Sequence, residues 1–228
     1  MNLCVIPARG GSKRIPRKNI REFCGKPIIA WSIDAALESG VFDRVVVSTD
    51  DDEIAAVAVA HGAEVPFRRP ANLSDDFTGT IPVVGHAVEW SRSEGLRPRM
   101  VCCIYATAPF VSVDDLRKGP AALVSSASGY AVSVTRYEFP IQRAVRLTTD
   151  NLMEMYDTTY YQKRSQDLDE AWHDAGQFYW GTAKAWLTNS NLFQGSAPII
   201  LPRHRVQDID TEDDWARAEL MFRASVPA

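Results

Sequence analysis

The chain has 228 residues, 46% of them hydrophobic and 24% charged, with a formal net charge of −4. A chain of this length buries a proper core as one globular domain, and the composition excludes collagen-like, disordered and mucin-like architectures. The acidic balance argues against nucleic acid or an anionic membrane as the primary partner, because proteins that bind those surfaces carry a basic excess.

In chain order, the opening MNLCVIPARGG is too short in its apolar part for a signal peptide, and no run approaches a membrane span. Its apolar stretch at 3–6 reads as a buried strand. A helix follows at 27–37 with Pro27 in its first turn, then a strand at 45–48 and a helix at 52–60 that Gly62 stops in a left-handed conformation. Residues 64–67 read as a third strand, 100–105 as a buried strand, 113–123 as a helix and 130–135 as another strand. This rhythm predicts an α/β fold with a mostly parallel sheet and helices on both faces.

The rhythm breaks at about 138–174, where mixed polarity and several tyrosines without a period read as an insertion: a lid, a partner-binding arm or a long solvent-facing excursion. Regular structure resumes at GQFYWGT, with a helix near 183–189, a strand at about 199–201 and a last strand ending at 206–209. Thr211 then caps a C-terminal helix, with Asp214 at the capping-box position. Cys4, Cys24, Cys102 and Cys103 show no C-x-x-C spacing and read as reduced core thiols of a cytoplasmic protein.

Two segments carry chemistry. The first strand runs into P-A-R-G-G-S-K-R-I-P-R-K-N, which sets Ala8, Gly10, Gly11 and Ser12 beside Arg9, Lys13, Arg14, Arg17 and Lys18. Loops after the carboxyl ends of parallel strands bind ligands, and glycines let backbone N–H groups approach phosphate oxygens. The loop therefore predicts polyphosphate binding against the bland alternative of a solvated basic turn. It matches neither G-x-x-x-x-G-K-[ST] nor G-x-G-x-x-G, which disfavours an ATPase or a dehydrogenase.

The second segment is Asp208-Ile209-Asp210. At i and i+2 of a strand the two carboxylates point to one side while Ile209 faces the core, a pair that suits Mg²⁺. Spacing alone leaves a second reading open, in which Asp210 helps cap the helix and Asp208 is a surface charge. Arg69, Asp75, Asp76 and Thr80 fall in a loop after the third strand, while His173 and Gln177 follow the insertion and, with Lys163 and Arg164, offer donors for a carboxylate-bearing substrate. The tryptophans and tyrosines read as core.

IPARGGSKRIPRKN, the RP of RRPANL, and QDIDTEDD together strongly resemble the CMP-sugar synthetases of nonulosonic acids, the acylneuraminate cytidylyltransferase family, over almost the whole chain. The resemblance implies a Rossmann-like nucleotidyltransferase fold, CTP bound at the first loop, a Mg²⁺ requirement and a homodimer joined through the inserted arm. Carried over by position, it implies that Ala8, Arg9, Gly10, Gly11, Ser12, Lys13 and Lys18 meet the triphosphate. It also implies that Asn19, Arg69 and Thr80 lie at the nucleotide, with Asp208 and Asp210 as metal ligands and Arg9, Lys18 and Asp208 as the catalytic set. Arg164, His173 and Gln177 are the implied contacts of a nine-carbon keto-acid sugar.

The R-K-N ending departs from synthetases of the eight-carbon sugar Kdo, and His173-Asp174-Ala175-Gly176 stands where sialic-acid enzymes show an R-P-N-G-type segment. SQDLDEAWHDAGQFYWG, CCIYATAPF and VQDIDT are similar instead to the pseudaminic acid members, and pseudaminic acid is the sugar this resemblance implies. A sialic or legionaminic acid enzyme, and a catalytically silent nucleotide-binding regulator, are the competing expectations.

Overall fold

A computed structural model describes residues 1–188 and 191–225. Strand β1 (Asn2–Pro7) leads through a 3-10 turn, Lys18–Ile20, into the two-residue strands β2 (Glu22–Phe23) and β3 (Lys26–Pro27), which pair with each other, and then into helix α1 (Ile28–Ser39). Pro27 caps α1, and Gly40, at φ 64°, ends it. β4 (Arg44–Ser48) and α2 (Asp52–Ala60) follow, and Gly62 adopts φ 88° just beyond α2, the left-handed stop expected there.

The expected third strand at 64–67 is reduced to isolated bridges from Glu64 to Val46 and from Arg68 to Thr49. Pro66 lies in the middle of that run and has no N–H to give a ladder. Thr80, expected in a loop, is the first residue of helix α3 (Thr80–Ser93). This helix went unrecognised in the sequence because Pro82, Gly85 and five β-branched residues dilute its propensity. Its signal lay in buried Val83, Val84, Ala87, Val88 and Ser91, one face at helical spacing.

β5 (Met100–Ile104), α4 (Val113–Val124) and β6 (Tyr130–Arg136) match the expected order. The irregular segment holds a small hairpin, β7 (Val145–Leu147) with β8 (Met153–Met155), and single 3-10 turns, and it gives way to β9 (Trp172–Thr182) two residues before the expected boundary at 174. α5 (Ala183–Thr188), β10 (Ala197–Ile200) and α6 (Glu212–Ser225) complete the chain. Asn189, the expected end of the helix after β9, lies outside the described residues.

The six-stranded sheet runs β10-β6-β9-β5-β1-β4, parallel except for β9, which pairs antiparallel with both β5 and β6. Alternation along the strands fixes the layers. Cys4 and Ile6 on β1, with Val45, Val47, Cys102 and Ile104, join the core on the face that receives Ile29 and Ile33 of α1, Ile54 of α2 and Leu116 of α4. Leu3 and Val5, with Val46, Val101 and Cys103, join the opposite core with Val84 and Val88 of α3 and Trp186 of α5. Cys4, Cys102 and Cys103 are buried free thiols, and burial pushes each above the usual thiol range.

A third cluster positions the functional loops. Ile15 of the loop after β1 and Ile209 of the segment before α6 are both fully buried with Phe23, Ile28, Phe110 and Trp215. Burying one such side chain stabilises by about 1.5–3 kcal/mol, so each loop is pinned by its own apolar anchor. The strand expected to end at 206–209 is absent: the segment is unpaired and follows a 3-10 turn, Arg203–Arg205. Side chains hold it in place of a ladder. Gln177 Nε2 donates to the Arg205 carbonyl, and the Arg205 guanidinium pairs at 2.7 Å with Asp115, itself only 2% exposed.

Candidate functional site

The loop 8–20, the residues after β4 and the residues after β5 all leave the carboxyl edge of the sheet, and antiparallel β9 brings its first residues to the same edge, where the Tyr105 N–H donates to the Gln177 carbonyl. β1 lies between β4 and β5, so successive connections leave it in opposite directions. A crevice at that switch point is where open α/β sheets bind ligands.

At one end of the crevice a cleft of about 380 Å³ is lined by Arg9, Ser12, Lys13, Arg14, Lys18, Asn19, Asp76 and Asp210. Its frame is built from local bonds. The Ala8 N–H donates to the Ser48 carbonyl, the Gly10 N–H to Asp50 Oδ1 at 3.0 Å, and Asn19 Nδ2 to the Arg9 carbonyl at 2.9 Å. A Cβ on Gly10 would stand 2.5 Å from Asp51 Oδ2, so only glycine lets the loop approach the start of α2 this closely. Gly11 faces open space.

Asp51 caps α2 by accepting from the Glu53 and Ile54 N–H groups, and it takes a forked pair of bonds from Arg17 at 2.5 and 2.9 Å. The Arg17 hydrogen bond is the main reason its carboxyl sits at about 2, below the ordinary 3.8. Arg17, at φ 55°, thereby turns its side chain to the frame, and it is absent from the cleft lining.

Arg9, Lys13, Arg14 and Lys18 converge on the cleft, and protein carboxylates answer each of them. Arg9 Nη1 donates to the Asp75 carbonyl and to Asp76 at 2.6 Å, and Lys13 pairs with the same Asp76. Asp75 folds inward, accepting from the Phe77 and Thr78 N–H groups, which fixes the turn that presents Asp76. Arg14 reaches Asp210 at 3.0 Å. Lys18 donates to the Ile209 carbonyl at 2.6 Å and to Asp210 at 3.2 Å, tying the first loop to the segment before α6.

Asp208 and Asp210 flank buried Ile209 as i, i+2 alternation demands, although no strand forms there. Partial desolvation first, and then the Asp210 charge, hold the Asp208 carboxyl above its usual range. A carboxylate in that state fits a cationic partner, and two hard oxygen donors beside a cationic cleft match what Mg²⁺ takes from proteins. Among the described residues no group of three or more His, Cys, Asp or Glu is arranged to hold a metal alone. The helix-capping alternative falls to other groups, since Thr211 Oγ1 accepts from the Asp214 N–H while Asp214 accepts from the Thr211 N–H.

The crevice continues past Arg9 and Asn19 to Arg69, Thr80 and Tyr105. The Arg69 guanidinium is nearly buried. Nε donates to Ser74 Oγ at 3.2 Å and Nη2 lies 3.8 Å from Asp50, but Nη2 has no hydrogen-bond partner. Burial pulls its pKa below the ordinary guanidinium value. At the far end a cavity of about 460 Å³ adjoins through Thr80 and Tyr105 and is lined further by Pro82, Asp174, Tyr179 and Phe193.

The remaining candidates lie elsewhere. Gln177, expected to meet substrate, is 2% exposed, and its Nε2 holds the Arg205 carbonyl, so the side chain faces the interior. The His173 ring packs on Tyr137 at 4.6 Å with Nδ1 against the Asp174 carbonyl at 2.8 Å, a geometry in which Nδ1 donates. Arg164 lies exposed on the inserted segment and pairs with Asp167. None of these three lines the crevice of a single chain. Sequence reading missed Asp50 and Asp51, which frame the loop, and took Tyr105 and Tyr179 as core. Both line the far cavity, Tyr105 partly exposed and Tyr179 buried.

Residues 3–193 match the model of a family described as cytidylyltransferase. The chain is 48% identical over 225 residues to the pseudaminic acid cytidylyltransferase of Campylobacter jejuni, covering 98% of this chain and 97% of that one. It is 31% identical over 230 residues to the CMP-N,N'-diacetyllegionaminic acid synthase of Legionella pneumophila, covering 99% and 98%. Among solved structures it superposes on a CMP:2-keto-3-deoxy-manno-octonic acid synthetase complexed with CTP, with TM-score 0.69 and 17% identity over 99% of each chain. It also superposes on a 4-diphosphocytidyl-2C-methyl-D-erythritol synthase from Anaerococcus prevotii, with TM-score 0.63 and 12% identity over 97% and 98%. The two superpositions establish the Rossmann-like nucleotidyltransferase fold.

Proposed function

This chain belongs to the cytidylyltransferase family, and on that premise we propose that it joins CMP from CTP to pseudaminic acid with release of pyrophosphate. The observation that carries the reading is the convergence of Arg9, Lys13, Arg14 and Lys18 on one cleft in a chain of net charge −4. The near-full-length likeness to a pseudaminic acid enzyme supplies the sugar.

In this reading the triphosphate lies over Ala8, Gly10, Gly11 and Ser12, and its charge displaces Asp76 from Arg9 and Lys13. Arg69 offers its unpartnered Nη2 to the nucleobase, with Asn19 and Thr80 alongside. The anomeric hydroxyl oxygen bonds to the α-phosphorus, the bond from that phosphorus to the β-phosphate bridging oxygen breaks, and pyrophosphate departs with both electrons. The hydroxyl proton passes to solvent or a nearby carboxylate. Such chemistry rests on positioning and charge neutralisation, and Arg9 and Lys18 supply fixed positive charge where it builds. Asp208 and Asp210 are the residues that would hold Mg²⁺, which when bound supplies positive charge to the phosphate oxygens.

Arg164 and His173 are proposed for the sugar carboxylate, and Arg164 comes to it from the arm of a second subunit in a homodimer. Its exposure on the inserted segment supports that arrangement. No helix among the described residues is long and apolar enough to cross a membrane, and we assign the reaction to the cytoplasm.

The test is pyrophosphate release from CTP with Mg²⁺ and a panel of pseudaminic, N-acetylneuraminic and legionaminic acids, with CMP-sugars identified by mass. Product from pseudaminic acid is expected. CTP binding with no product from any sugar would establish a silent nucleotide binder instead, and full activity in a stable monomer would refute the Arg164 assignment.

A further inference from the structure

From 206 to 211 the chain has no ladder partner, yet it carries Asp208 and Asp210, two carboxylates that repel each other and gain from moving apart. Entry to the segment is fixed by Arg205, which is held at two points from different layers of the fold. Gln177 Nε2, on β9, donates to its carbonyl, and Asp115, in the first turn of α4, takes its guanidinium at 2.7 Å.

Both anchors are themselves fixed. The Gln177 carbonyl accepts from the Tyr105 N–H at 2.9 Å, which ties it to the residue that follows β5. The Asp115 carboxylate accepts from Ser112 Oγ at 2.7 Å and from Lys118 Nζ at 2.6 Å, and its N–H donates to Ser112 Oγ, the N-cap of α4. Leu116, the next residue, is fully buried in the core.

β9 also reaches Asp208 directly. A Cβ on Gly176 would stand 3.9 Å from Asp208 Cγ, so the carboxyl group packs against the backbone just before Gln177. Arg205 and Asp208 are thus both seated on Gly176 and Gln177, while Lys18 and buried Ile209 hold the far side of the segment. Asp115, Gln177 and Arg205 line neither the cationic cleft nor the crevice beyond it, so none of them touches a nucleotide bound there.

Resting on the cytidylyltransferase reading, we infer that Asp115 and Gln177 are positioning residues, which act through Arg205 to hold the Asp208 carboxylate in register with Asp210 for a divalent cation. Mg²⁺ tolerates little departure from its preferred geometry. A segment without a ladder supplies that precision only if something rigid grips it near the ligand, and α4 and β9 are the rigid elements that do so.

The experiment compares wild type with Asp115→Asn and Gln177→Met. Asparagine keeps the shape of the α4 cap but loses the charge that Arg205 meets, and methionine keeps the volume but loses the donor to the Arg205 carbonyl. Mn²⁺ is titrated against each folded protein with the unreactive analogue α,β-methylene CTP bound, free Mn²⁺ being read by electron paramagnetic resonance. Half-saturating Mg²⁺ is measured in the pyrophosphate assay. Both constants are expected to rise about tenfold or more, the usual effect of removing a partner behind a metal ligand. CTP affinity measured in EDTA should stay within about twofold, because Arg9, Lys13 and Arg14 are untouched. Excess Mg²⁺ should restore part of the lost turnover. Gln177→Met, which places no charge in the core, serves where Asp115→Asn does not fold.

An unchanged Mn²⁺ or Mg²⁺ constant in either folded variant overturns the inference and leaves Asp115 and Gln177 as supports of the fold alone. An equal loss of CTP affinity in EDTA, the signature of general damage, overturns it too. With normal wild-type turnover and unchanged variant constants only the inference falls, whereas a wild type that forms no CMP-sugar from any acid in the panel overturns the functional reading and the inference with it.

Discussion

Lys18 is the group on which the proposed mechanism and the fold meet, and Lys18→Met separates the two contributions. Its ammonium bonds the Ile209 carbonyl at 2.6 Å and Asp210 at 3.2 Å, with the side chain 19% exposed. Methionine preserves most of the stem and removes the charge. Loss of one mostly buried bond from a charged donor costs about 2 kcal/mol of stability, which a urea titration reads as a lower midpoint with an unchanged slope. The catalytic loss is separate. Removing an electrostatic group aimed at developing charge lowers turnover about a hundredfold, or ~2.7 kcal/mol in the barrier.

The assay is initial-rate pyrophosphate release at saturating CTP and sugar, run well below the variant's midpoint so that all the protein is folded. Lys18→Arg should recover part of the rate, because it restores charge but not the compact ammonium geometry. Turnover within about threefold of wild type in folded Lys18→Met would refute the reasoning, leaving Lys18 as a strap between the first loop and Ile209 and nothing more.

Two further outcomes concern the frame of the loop. Asp51→Asn keeps a helix-capping side chain but loses the charge that Arg17 holds. Because the folded carboxyl sits at about 2 against 3.8, its contribution is complete above 3.8 and disappears as pH falls toward 2. With the side chain 21% exposed and screened, wild type should exceed the variant by about 1 kcal/mol at pH 6, and the two should converge near pH 2 in urea titrations. A gap that does not change with pH would assign the effect to packing. Gly10→Ala should raise the KM for CTP about tenfold with little change in thermal midpoint, because the new Cβ at 2.5 Å from Asp51 Oδ2 pushes a surface loop and not the core. Steady-state kinetics and a melting curve check it, and an unchanged KM would show that the loop shifts freely.

How much of this was readable beforehand depends on where the determining contacts lie along the chain. β1, β4, β5 and β6 carry their own signal, since short apolar runs bounded by turns mark buried parallel strands whatever surrounds them. α3 was hidden because tertiary packing, not propensity, makes it a helix. The last expected strand failed for a related reason. Residues 206–209 have the alternation of a strand, but Arg205, Lys18 and Gln177 hold them by side-chain bonds that no local pattern reveals. The relation between Asp208 and Asp210 survived that error, because burying Ile209 forces its neighbours outward with or without a ladder.

The site was legible as a concentration of charge but not as a division of labour. Five cations in the first loop are equivalent in sequence, yet the structure gives Arg17 to Asp51 and Glu53, away from the cleft, while Arg9 and Lys13 share Asp76 within it. The two sets differ in what exchange costs. Arg17 is bound by two bonds to a capping carboxylate that itself secures α2, so removing it disturbs a helix. Asp76 is 35% exposed at the side chain, on a turn fixed by Asp75, and exposed pairs of this kind contribute little to stability. In the proposed reading a triphosphate therefore displaces Asp76 from Arg9 and Lys13 while the Arg17 frame stays in place. On that proposal the separation lets a chain of net charge −4 keep a cationic cleft folded without nucleotide and still release its cations to the polyphosphate.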